Sequence, residues 1–263
     1  MTPSPTLSPS DVFVAMMARD VRVMRRELPF FLLRTLMQPL LLMLVFGFLL
    51  PKMGNIPQAY VGTLFPGVLA LSIALSSIQS VALPMSVSFS VSKEIEDRLL
   101  APIPTRLVAL ELVVMGTLQG LVTALVVFPL GKLIIGTIPG LALADFAELG
   151  AVMLLSAAAF SAIGLFLGCA VAPQHIGLLF SFVVGPMIFF GCAYYPWRGL
   201  DVVPVMKYAV LLNPLVYVSE GMRGALTPGV PHMPLLVVTA ALLVMLGIFW
   251  RIGLNAFMKR AVG

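Results

Sequence analysis

Six stretches of this chain, about 30–50, 60–83, 107–130, 146–171, 176–195 and 234–252, are apolar over lengths that meet or approach the roughly 20 residues needed to cross a hydrocarbon core. That constraint outranks every local motif, because in lipid only helices or closed barrels can satisfy their own backbone. The composition agrees: 60% of the 263 residues are hydrophobic and mean hydropathy is +1.07, against the roughly 45–50% apolar residues of an ordinary globular domain. The expected fold is therefore all-α and integral to a membrane, with six transmembrane helices in a single domain. The first run lacks the short apolar core and small-residue cleavage site of a signal peptide, so it is expected to stay as an anchor.

A net charge of +5 could suggest nucleic acid, but the basic residues sort by side. With the N-terminus in the cytoplasm, Arg19, Arg22, Arg25, Arg26, Lys93, Arg98, Arg106, Arg251, Lys259 and Arg260 fall inside, with Arg34 at the boundary. Lys52, Lys132, Arg198, Lys207 and Arg223 fall outside. Ten against five is the positive-inside pattern, and no nucleic-acid partner is needed to explain it. Cys169 and Cys192 lie at opposite ends of adjacent expected helices, too far apart for a disulfide. They read as two buried thiols.

The start, TPSPTLSPS, is too rich in proline and serine to pack, so residues 1–7 are expected to fray. Ser8 as cap, Pro9 at the first helical position and Asp11 three residues after the cap then open a helix over 8–28. Phe13, Met17, Val21, Met24 and Leu28 recur at helical spacing while Arg19, Arg22 and Arg26 share another face. This predicts an amphipathic helix along the inner leaflet, with Arg19, Arg22, Arg25 and Arg26 near lipid headgroups. Pro29 is expected to bend the chain into the six-span core, 30–252, which ends in a cytoplasmic tail over 253–263.

Within the spans the polar residues are few. Arg34 and Gln38 are one turn apart, so Arg34 either snorkels to headgroups or touches substrate. Ser72, Ser76, Ser77, Gln79 and Ser80 crowd one span and must face protein or a pathway, not lipid. Gly116 with Gly120, and Gly164 with Gly168, form two GxxxG pairs suited to close helix packing. Phe189, Phe190, Tyr194, Tyr195 and Trp197 gather at one membrane edge, as an interfacial belt or an apolar gate. After Tyr195, two apolar pieces at about 202–212 and 215–226 are each too short to span, and Asn213-Pro214 separates them. They predict a re-entrant helical hairpin on the outer side, before the last span, which includes Glu220.

Residues 90–106, SVSKEIEDRLLAPIPTR, put five charges into the six positions from Lys93 to Arg98. Glu94 and Arg98 can support one helical turn, which Pro102 and Pro104 end. On spacing alone this is a solvated charged loop or a short rigid helix. Residues 93–111, KEIEDRLLAPIPTRLVALE, resemble the cytoplasmic segment of type-2 ATP-binding-cassette permeases. LFPGVLALS at 64–72 resembles that family's second span, and NPLVYVSEGMR at 213–223 the segment before its last span. The resemblance covers nearly the whole chain, and KEIEDRLLAPIP looks closer to the drug and nodulation lipo-oligosaccharide exporters than to the O-antigen polysaccharide permeases.

The resemblance implies a coupling helix at Lys93, Glu94, Ile95, Glu96, Asp97, Arg98, Leu99, Leu100, Ala101 and Pro102. It implies a separate nucleotide-binding ATPase subunit that holds ATP and Mg, and a second permease copy. It also implies a bacterial-type inner membrane with both termini cytoplasmic. A path for a drug, lipid or lipo-oligosaccharide would run past Arg34, Gln38, Ser72, Ser76, Gln79, Phe189 and Phe190. The chain has no GxxxxGK[ST] phosphate loop, since Gly131-Lys132 is followed by leucine and lacks the upstream glycine. ATP hydrolysis is therefore expected elsewhere, with no cofactor and no catalytic residue in this chain. His175 and His232, the only histidines, are expected on opposite faces and make no metal site. The rival readings are an ion-gradient-driven transporter and a passive channel or assembly protein.

Overall fold

The computed structural model describes residues 8–90, Ile95, Arg98, Leu100, 103–138, Leu141, 146–171 and 173–262. Among these all the regular structure is helical and there is no strand. Five helices are long and apolar enough to cross a membrane. They are α1 (Pro9–Lys52), α2 (Tyr60–Ser90), α3 (Thr105–Ile135), α4 (Phe146–Ala170) and, last in the chain, α8 (Leu235–Val262). Between α4 and α8 lie shorter pieces: α5 over 176–189, α6 (Pro204–Ala209) and α7 (Pro214–Leu226).

The first helix starts as its sequence predicts. Ser8 is the N-cap, Pro9 follows it, and the Ser8 N–H donates to Asp11 Oδ2 at 3.3 Å. Phe13, Met17, Val21, Met24 and Leu28 are half-buried along one face, whereas Arg19, Arg22, Arg25 and Arg26 are exposed. At Pro29, where the chain is expected to bend, the helix does not end: α1 continues as one helix, α-helical over Pro9–Leu42 and π-helical over Met43–Leu49. A proline inside a helix costs one intrahelical hydrogen bond, here that of the Arg25 carbonyl, which headgroups or water can replace without ending the helix. A 44-residue helix is about 66 Å long, twice the roughly 30 Å of a hydrocarbon core. Its arginine-rich N-terminal half must therefore lie beyond the lipid tails when the apolar half spans them. The expected tail at 253–262 is likewise the last turns of α8, and the expected fray at 1–7 lies outside the described residues.

α2 is the central post. Of its most apolar stretch 94% is buried, against 11% for α8 and 28% for α1. Both GxxxG pairs face it. A Cβ on Gly164 would stand 2.8 Å from the Ile78 carbonyl oxygen, and one on Gly168 2.9 Å from that of Ala82. A Cβ on Gly120 would fall 2.0 Å from Ser77 Oγ. The small residues therefore bring α3 and α4 onto α2 within one chain, and they are spent there rather than on a dimer face.

The fifth expected span, 176–195, is helical only over 176–189, with a π-helical stretch at Phe180–Val184. That is about 21 Å of helix, short of a full crossing. The helix ends because Phe190 caps it and Cys192 takes a positive φ of 52°. The carbonyls beyond that point bond to side chains instead of to the next turn.

Candidate functional site

Two constellations gather the buried charge of the molecule, one beside the 90–106 segment and one beside the irregular stretch 190–197. At the first, Arg98 of the charged segment reaches two helices. Its Nη1 lies 2.9 Å from Glu111 Oε2 on α3, and its Nη2 lies 2.9 Å from Asp20 Oδ2 on α1. Glu111 is fully buried, and Arg98 and Asp20 are largely covered. A guanidinium suits this task because its planar fork can hold two carboxylates in fixed directions, which an ammonium cannot. Ile95 sits beside it at 2% exposure in a small apolar cluster with Val108, Ala109, Leu165 and Phe257. Leu100 projects outward at 83% exposure. Lys93, Glu94, Glu96, Asp97, Leu99, Ala101 and Pro102 lie outside the described residues.

The sequence reading missed both carboxylates. Asp20 stands three residues after Met17 and four before Met24, on the apolar face of α1, and Glu111 interrupts LVALELVV. An acid on an apolar face is the signal that could have found each one.

Near the same end of the bundle, Arg260 of α8 donates from Nη1 to the carbonyls of Gly168, Cys169 and Val171 at 3.0–3.3 Å. These carbonyls lie at and just past the C-terminus of α4, where orphan acceptors and the helix dipole both favour a cation. Its guanidinium also lies 4.8 Å from the ring centroid of Phe89 at the end of α2.

The second constellation is built by α7. Asn213 caps it, accepting from the Leu215 N–H at 3.0 Å and donating to the Met187 carbonyl at 2.8 Å, so the predicted break at Asn213-Pro214 is the joint between α6 and α7. Glu220 and Arg223, about two and three turns further on, are both fully buried and pair at 2.7 Å. The Arg223 side chain, counted by sequence among the outer-side basic residues, is inside the protein. It donates to the carbonyls of Cys192 and, at 3.1 Å, Ala193, and from Nε to Thr63 of α2 at 3.3 Å. Glu220 accepts from the backbone N–H of Trp197 at 2.9 Å and of Met233 at 3.1 Å.

Two further side chains complete the staple. Ser219 Oγ donates to Gly191 O at 2.9 Å, and Tyr60 Oη to Tyr194 O at 2.9 Å. Four successive carbonyls, Gly191 to Tyr194, are therefore all satisfied by side chains, the condition under which irregular backbone survives away from water. Gly67 lets α2 touch this strip directly, since a Cβ there would stand 1.8 Å from Ala193 O.

The residues expected along a path do not converge. Ser76 is buried and shares a 2.7 Å hydrogen bond with Thr123 of α3, and Ser72 donates to Leu69 O of its own helix at 2.7 Å. These are helix-packing contacts. Gln79 is half-buried, while Arg34 and Gln38 are exposed on α1. Phe189 and Phe190 are 68% and 44% exposed, apart from Tyr194, Tyr195 and Trp197, which pack inward. Trp197 Nε1 donates to Lys207 O at 2.9 Å and the Lys207 ammonium lies 4.5 Å from its ring centroid, tying 197–202 to α6.

A family model described as ABC-2 type transporter matches residues 11–227, from α1 to just beyond α7, and so spans both constellations. The chain belongs to the ABC-2 type transporter family. Its relatives in this family include the inner membrane transport permease YadH of Escherichia coli K12 and its counterpart in Shigella flexneri. Each is 25% identical over 233 residues, covering 83% of this chain and 85% of the relative. As an ABC-2 permease the chain is a transport subunit, and permeases of this family work with an ATPase subunit.

Proposed function

We propose that this ABC-2 permease is the membrane half of an ATP-driven exporter in a bacterial inner membrane, moving a hydrophobic or amphiphilic substrate from the cytoplasm or inner leaflet. The observation that carries the mechanism is the bridge from Arg98 to Asp20 and Glu111. A push on the 93–102 segment from a partner ATPase would pass through one guanidinium to α1 and α3 together. In this reading Ile95 is the apolar foot that seats the segment on the bundle, and exposed Leu100 faces the ATPase. Coupling requires that nucleotide sites on the partner bias two states of the permease. Arg98 supplies the contact whose two carboxylate partners can separate or close.

At the other end, α5 with the strip 190–195 completes a sixth crossing, and α6 and α7 form the re-entrant outer cap. The Glu220–Arg223 pair keeps that cap fixed, so opening occurs between two permease copies and not inside one chain. Exposed Phe189 and Phe190 are the apolar surface that closes the path against the second copy. Both termini are then cytoplasmic, and Arg19, Arg22, Arg25 and Arg26 meet the inner headgroups.

The test is co-purification with the native ATPase subunit, followed by transport in vesicles under ATP depletion or gradient collapse. Transport that stops with ATP depletion and survives gradient collapse is the expected result. The reverse pattern would assign the chain to gradient-driven transport.

A further inference from the structure

A groove of about 210 Å³ opens between α1, α2 and α3. Glu27, Phe31 and Arg34 line it from α1, Ser80 and Pro84 from α2, and Gln119 from α3. Among the described residues neither Glu27 nor Arg34 makes an ion pair or hydrogen bond. The two stand seven positions apart, on one face and about 10 Å apart along the helix. Each therefore presents an unneutralised charge of opposite sign to the same small space. Pro84 adds an acceptor, because it has no N–H to give the Ser80 carbonyl one turn earlier. The Gln119 amide completes a lining that carries one cation, one anion and neutral groups, walled by Phe31 and the neighbouring Phe30.

A lone anion would be repelled by Glu27 and a lone cation by Arg34. We propose that this groove binds the zwitterionic headgroup of an amphiphile, its phosphate on Arg34 and its primary ammonium on Glu27 and the Ser80 carbonyl, with its tail leaving beyond Arg34 along exposed Met37 and Leu41. The inference rests on the reading of the chain as a permease for amphiphiles and names the headgroup class taken up from the inner leaflet.

The test is photolabelling of the full chain in nanodiscs with three lipids sharing one diazirine-bearing acyl chain: phosphatidylethanolamine, phosphatidylcholine and phosphatidylglycerol. Adducts are mapped to peptides containing residues 24–38, 80–84 and 119. Phosphatidylethanolamine is expected to label these peptides about tenfold more than phosphatidylglycerol, the ratio that one charge-assisted hydrogen bond supplies. It should also exceed phosphatidylcholine, which keeps the charge but has no ammonium N–H. Arg34→Gln should lower its labelling about tenfold, Arg34→Lys should restore most of it, and Glu27→Gln should abolish the preference over phosphatidylglycerol.

Equal labelling by the three lipids, or full labelling of a monodisperse Arg34→Gln protein, would overturn the proposal. So would displacement by soluble phosphoethanolamine at concentrations matching the lipid, which would assign the groove to a soluble ligand. Labelling needs neither ATP nor transport, so a negative result here leaves the ATP-coupling reading standing, and loss of ATP dependence with labelling intact leaves this one.

Discussion

Arg223 Nη1 lies 2.7 Å from Glu220 Oε1 with both side chains fully buried, and between them they hold the backbone of Cys192, Ala193, Trp197 and Met233. Burying two charges is costly, and their attraction offsets that cost only when the remaining donors and acceptors are also used. Here they are used on a strip of chain that has no helix to satisfy it. The pair is better understood as the structural centre that ties α7 to the 190–197 strip than as a binding site.

Removing one member should therefore do more harm than removing both. Arg223→Ala or Glu220→Ala should each destabilise the chain by about 3–5 kcal/mol, because each strands a buried charge. Arg223→Met combined with Glu220→Gln should recover part of the loss. Maleimide labelling of Cys192 in a Cys169→Ala background reads this out, with labelling fastest in the single variants. Equal rates in wild type and Arg223→Ala would remove the stapling role.

Helix packing on α2 gives a sharper contrast. Gly168→Leu should prevent stable folding, since a Cβ there already meets the Ala82 carbonyl oxygen at 2.9 Å and backbone cannot yield cheaply. Gly150→Ala, with nothing within 4 Å of the added carbon, should be neutral or slightly stabilising. Yield of monodisperse protein in detergent is the measurement. Comparable yields from the two would mean that α4 does not approach α2 this closely.

Ser76 and Thr123 should behave as packing residues. Each alanine substitution should cost about 0.6 kcal/mol, the usual size of a hydrogen bond between membrane helices, with a double variant no worse than either single one. Substrate range should not change. A shifted range in Ser76→Ala would return this residue to the transport path.

Phe189 and Phe190 carry the opposite expectation. Alanine at both should raise the basal leak of vesicles holding the permease, because at the proposed seam between permease copies this exposed aromatic bulk would exclude water. Unchanged leak would leave them the anchoring role of interfacial aromatics.

What was legible in the sequence follows from how local each signal is. Apolar runs mark helices because hydrocarbon enforces backbone pairing within the segment, so α1, α2, α3, α4 and α8 were readable, as was the joint at Asn213-Pro214. Pro29 shows the limit of a local rule: the helix runs through it, because one lost hydrogen bond ends a helix only where nothing else satisfies the carbonyl. The end of α5 at Phe190 was hidden because its partners, Tyr60, Ser219 and Arg223, come from helices distant in sequence. Arg98 was readable as part of a charged insert. That it joins Asp20 to Glu111 is a tertiary fact, 78 and 13 positions away in the chain.

The most direct measurement compares Arg98→Ala with Arg98→Ala/Glu111→Gln, each reconstituted with the ATPase subunit and assayed for stability, ATP hydrolysis and transport. The single variant leaves a buried carboxylate uncompensated and should be unstable, and neutralising Glu111 should restore the fold. The account predicts that the restored double variant still binds the ATPase yet transports at least about tenfold less than wild type, with Arg98→Lys intermediate. Full ATP-driven transport by the double variant would contradict it.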